Sequence, residues 1–129
     1  MTGKTLSQVL ALDAVTCSAV FALGVFATGF VAGLTGLPDG VISAGGWICL
    51  AAAALLAFLA VKPSRGLLWL AILGNAGWVL ASIAVYVVFL DRLTQIGHTV
   101  VLVQIAGVAL FTVLELRGIG AVRARPAIV

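Results

Sequence analysis

A chain of 129 residues with 64% hydrophobic and 9% charged side chains lies far from the soluble globular norm of about 45–50% apolar and about 25% charged. So short a chain cannot bury that much apolar surface against itself in water, whereas a bilayer solvates it directly. The formal charge of +3 fits attraction to anionic headgroups, and nucleic acid is excluded as a partner because no room is left for a basic patch with stacking aromatics.

The first apolar segment is expected over residues 6–32, interrupted by Asp13 and a few small polar residues. Gly33, Gly36, Pro38 and Asp39 then supply turn chemistry: glycine takes left-handed dihedrals that end a helix, and Asp39 is expected to cap the next one. Asp13 falls inside the stretch that a cleaved signal would keep uncharged, so the segment is read as a retained helix. The second segment, 41–61, stops at Lys62-Pro63-Ser64-Arg65-Gly66, where proline cannot continue a helix and the charges require water. The third, 67–90, is closed by Asp91 and Arg92, and the fourth runs over 95–116 before a basic tail at 117–129. Each reaches the roughly 20 residues that cross a hydrocarbon core of about 30 Å.

The expected fold is therefore an all-α membrane protein, a four-transmembrane-helix antiparallel bundle forming a single domain. Lys4, Lys62, Arg65, Arg117, Arg123 and Arg125 fall on one side of four spans and Arg92 alone on the other. Positive residues are retained in the cytoplasm, so both termini are expected there. Trp47, Trp69, Tyr86 and Phe89 suit headgroup-level belts.

Helices in lipid associate through close packing, which small residues permit. Gly24, Thr28, Ala32 and Gly36 form one ladder and Gly45, Cys49, Ala53 and Ala57 another. These faces are expected to meet, in an intramolecular hairpin or as the seam of a homodimer or larger membrane complex. Cys17 and Cys49 both lie about 18 Å from the cytoplasmic edge at 1.5 Å per residue. Deep in apolar surroundings and outside a Cys-x-x-Cys pair, they read as packing residues.

An ionisable group inside a span costs about 2.5–3.5 kcal/mol on insertion scales and calls for a polar partner. Asp13 lies about 12 Å from the cytoplasmic edge, level with Asn75 on the third helix. Asn75, Trp78 and Ser82 share one face of that helix at i, i+3 and i+7. Thr16 stands near the carboxyl, and the fourth helix adds Gln104 mid-span with Thr112 and Glu115 near the cytoplasmic end. The candidate intramembrane cluster is thus Asp13, Thr16, Asn75, Trp78, Ser82, Thr112 and Glu115. It reads either as interhelical glue or as a site where Asp13 exchanges a proton for a substrate or ion.

His98, the only histidine, lacks the companions a haem or zinc site needs and reads as an interfacial polar residue. No catalytic motif can be assembled, so neither an enzyme nor a cofactor is expected.

Leu10-Ala11-Leu12-Asp13-Ala14, the Gly36-Leu37-Pro38 turn, Asn75 with Trp78 and Ser82, and Leu114-Glu115-Leu116-Arg117-Gly118 together resemble a group of small four-helix bacterial membrane proteins without an established activity. The resemblance spans nearly the whole chain and implies a multi-pass protein of the inner membrane, but no functional residue. Small multidrug transporters share the size and an acid in the first helix, yet theirs is a glutamate in a motif not found here. The polar signatures of fluoride channels are also missing. The expected role is a non-enzymatic accessory or assembly component, with a small proton-coupled or ion/solute transporter or channel using Asp13 as the alternative.

Overall fold

The computed structural model describes residues 1–122; of the expected basic tail at 117–129, residues 117–121 instead continue the last helix and its 3-10 turn, and 123–129, with Arg123 and Arg125, lie outside the described residues. The described chain folds as five α-helices and a 3-10 turn: α1 Gly3–Phe26, α2 Thr28–Thr35, α3 Asp39–Val61, α4 Arg65–Val88, α5 Gln95–Gly118, and Ile119–Ala121. Four helices are long and apolar enough to cross a membrane: α1, α3, α4, and α5 with its 3-10 extension.

The first expected helix is two. Ala27 leaves helical geometry at φ −127° and ψ 35°. The Thr28 hydroxyl donates to the carbonyls of Gly24 (2.6 Å) and Val25 (3.2 Å), and such back-bonding competes with the backbone ladder and bends helices. The helix also starts earlier than expected, because the Thr2 side chain accepts from the Thr5 amide and caps Gly3. Gly36, at φ 84°, closes α2 in the left-handed conformation anticipated for it.

One capping expectation fails: Pro38 occupies the N-cap of α3, and Asp39 is its first helical residue with no side-chain cap bond. Asp91 lies in the connection after α4, and Thr94 is the N-cap of α5, its hydroxyl oxygen accepting from the Gly97 amide at 2.9 Å.

The bundle has two packed ends. At the end holding the chain start, Leu6, Leu10 and Ala14 of α1 pack with Leu56 and Leu59 of α3, Leu68, Ala71 and Ile72 of α4, and Ile119 and Val122 beyond α5. At the hairpin end, Leu37, Leu93 and Val101 form a smaller cluster with Ile42, Val85, Tyr86 and Phe89 around it. Consecutive long helices therefore run antiparallel, as the short connections require.

The α1–α3 seam keeps Gly24, Cys49 and Ala53 of the expected ladders and departs from them at the ends of the α3 stripe, where Gly46 and Leu56 replace Gly45 and Ala57. Gly46, Cys49, Ala53 and Leu56 are buried, whereas Ala57 is exposed and Gly45 faces the Trp78 ring. The buried residues recur at intervals of three and four, the repeat that keeps one stripe against a neighbouring helix. A Cβ on Gly24 would fall 2.9 Å from the Ile42 carbonyl oxygen and 3.2 Å from the Gly46 Cα, so this pair brings two backbones together. Gly36 lies instead against Arg92, where a Cβ would strike the Arg92 carbonyl.

Candidate functional site

A stripe of α1 at intervals of three and four, Leu6, Leu10, Asp13, Ala14 and Cys17, faces the bundle interior. The apolar members set the rotation of the helix, and that rotation carries Asp13 inward with them. On α4, Leu68, Ala71, Ile72, Asn75 and Ser82 are the buried positions. On α5, Glu115 is buried one turn before Gly118, against whose α-carbon side Leu6 packs closely. Three helices thus each bring one polar side chain to a common point.

Asn75 joins the two acids. Its Nδ2 donates to Asp13 Oδ2 at 3.0 Å and to Glu115 Oε2 at 2.8 Å, which uses both hydrogens of the amide nitrogen. Asp13 is 1% exposed, Glu115 0% and Asn75 8%. The Cys17 thiol, one turn along α1, points its sulfur at Asp13 Oδ1 from 3.7 Å, a weak donor contact. Both Asp13 oxygens therefore have a donor. Glu115 Oε1, by contrast, is buried and has no hydrogen-bond partner among the described residues.

Of the expected cluster, the structure unites Asp13, Asn75 and Glu115 and separates the rest. Thr16 is exposed, and its hydroxyl donates to the Leu12 carbonyl of its own helix at 2.9 Å. Thr112 likewise donates to Val108 at 2.8 Å. A threonine satisfied by its i−4 carbonyl has no call on a distant partner. Trp78 turns to Gln104, donating from its indole nitrogen at 2.7 Å. Ser82 is buried farther along the same face of α4.

The sequence does not announce every pairing between these helices. Tyr86 and His98 share a hydrogen bond at 3.0 Å, their rings edge to face at 5.5 Å. Asn75–Glu115, Trp78–Gln104 and Tyr86–His98 form three rungs between α4 and α5. As one residue number rises the other falls, the signature of an antiparallel pair. Trp47, assigned to a belt, meets Phe21 edge to face at 5.6 Å.

Cys17 and Cys49 face one another across the α1–α3 seam as free thiols, a contact that their matched depth allowed without deciding. Among the described residues, no group of three or more His, Cys, Asp or Glu side chains could hold a metal ion. A shallow depression along Gln95, Ile96, Thr99 and Val100 lies on the first turns of α5, at the opposite end of that helix from Glu115. The arrangement can fix three helices in register and can accept or release a proton at a buried carboxyl.

No family model matches the chain, and no curated protein or solved structure is found to be similar to it.

Proposed function

We propose that this chain is a non-enzymatic, multi-pass component of the bacterial inner membrane, an accessory or assembly factor for a larger membrane complex. The observation that carries this reading is the closure of the polar bridge. Asn75 engages both acids while neither reaches the surface, so one amide ties polar groups of three helices together inside the bundle. Such bonds contribute about 0.6–2 kcal/mol each between membrane helices, and they fix rotation and depth as well as proximity.

In this reading α1, α3, α4 and α5 span the bilayer, with the break at Ala27 inside or at the edge of the first crossing. Lys4, Lys62, Arg65 and Arg117 cluster at the end of the bundle where the chain begins, and Arg92 lies at the other. The positive-inside rule puts the first end, and both termini, in the cytoplasm. The resemblance of the Asp13, Gly36-Leu37-Pro38 and Asn75 motifs to small bacterial four-helix proteins supports the inner membrane as the location.

A second reading, a small proton-coupled or ion transporter or channel, is favoured by Glu115 Oε1, a buried oxygen left without a donor beside a second acid. Asp13→Asn separates the two when thermal unfolding and proton flux are measured on the same proteoliposomes. A structural Asp13 gives a lowered unfolding temperature and no flux in either protein. A transporter gives flux in the native chain that Asp13→Asn abolishes while the fold survives. Unchanged stability together with absent flux would remove both accounts of Asp13.

A further inference from the structure

The hydrogen bonds around the two acids are unequal, and the inequality locates a proton. Asp13 has a donor at each oxygen, the Asn75 amide at Oδ2 and the Cys17 thiol at Oδ1. Glu115 has one donor, at Oε2, and its other oxygen is buried with none. A buried carboxylate needs donors on both oxygens, whereas a neutral acid carries its own hydrogen and leaves far less charge unsolvated. Two negative carboxylates joined through one amide would also repel each other in a medium that screens poorly.

We propose that Asp13, Asn75 and Glu115 form a single-proton binding site in which Glu115 holds the proton at Oε1 and Asp13 carries the negative charge. The proton exchanges with water without any change of redox state: uptake converts the Glu115 carboxylate to the acid, and release returns it. Asn75 is the positioning residue, because its amide donates to both partners whichever form Glu115 takes. The charged and titratable groups around the site are few. Asp13 and Cys17 come from α1 and Cys49 from α3, α4 contributes the uncharged Asn75, and Arg117 of α5 is exposed two residues beyond Glu115. No described basic side chain hydrogen-bonds to either acid. The inference goes beyond the accessory role, since such a site responds to protons whether or not anything is transported.

Glu115 is the only glutamate in the chain, which allows the test to be made on the native sequence. Infrared spectra of the full chain in lipid nanodiscs are recorded at neutral pH, with and without isotope label at the glutamate side-chain carboxyl carbon. The expected result is a carbonyl stretch of a protonated carboxylic acid that shifts on labelling. Absence of the band would mean that both acids are ionised, and a band that labelling leaves in place would put the proton on Asp13; either overturns the proposal. The pH titration of the band in Asp13→Asn supplies an independent reading. Removing the neighbouring charge should move its loss to lower pH, and an unmoved titration would show that the two carboxyls do not form one site.

Discussion

Asn75 is the residue on which the interior polar network converges, and its replacement tests whether the network stabilises the fold. Asn75→Leu keeps the branched heavy-atom shape and removes both donations, to Asp13 and to Glu115. At about 0.6–2 kcal/mol per interhelical bond in a membrane, the loss should be about 1–4 kcal/mol, read as a lower unfolding temperature in detergent micelles. Trp78→Phe removes one bond, to Gln104, and should cost less. If Asn75→Leu cost no more than Trp78→Phe, the two acids would be getting nothing from the amide. The network is partly legible in the sequence, because depth counted along α1 and α4 places Asp13 and Asn75 level. Glu115 was named, but its contact with Asn75 depends on the rotation of α5, which a helix with apolar residues on every side does not encode. Thr16 and Thr112 were misassigned for a related reason: a hydroxyl can be satisfied within its own helix, and composition does not distinguish that from an interhelical bond.

At the scale of elements, the hairpin end is held by backbone contacts that only glycine permits. Thr94 donates its hydroxyl to the Leu34 carbonyl at 2.6 Å and its amide to the Thr35 carbonyl at 3.0 Å, tying the end of α2 to the start of α5. Gly97 packs on the same carbonyl, and a Cβ there would collide with it. Gly97→Ala should therefore destabilise by about 1–3 kcal/mol, the usual cost of overpacking. Amide exchange should speed up at residues 35–37 and 94–97 first. Gly107→Ala, on the same helix with open space at its α-carbon, is the control and should be neutral or slightly stabilising. Equal behaviour of the two variants would show that the α2–α5 contact is loose. The turn at Gly36-Leu37-Pro38 and the stop at Lys62-Pro63 were readable because proline and left-handed glycine act locally. The break at Ala27 was not: alanine is the best helix former, and the competing Thr28 hydroxyl signals a bend only once its rotamer is known.

For the whole molecule, the decisive question is which end of the bundle faces the cytoplasm, because that sets which solution supplies the proton-binding site. Asp13, Asn75 and Glu115 lie nearer the end where α1 and α4 begin and α5 finishes, the end that carries Lys4, Lys62, Arg65 and Arg117. If positive residues are retained inside, the site is nearer the cytoplasm and would answer to cytoplasmic pH. Gly40 and Gly66 report the two ends without disturbing charge or packing, since each is exposed with nothing near its α-carbon. In a background with Cys17→Ser and Cys49→Ser, Gly40→Cys should react with a membrane-impermeant thiol reagent in intact spheroplasts, and Gly66→Cys only after lysis. The reverse pattern would invert the molecule and place the acids nearer the periplasm, where an external proton source would act on them. Labelling of both positions in intact cells would instead contradict a connection across the bilayer by α3, because Gly40 and Gly66 flank that one helix.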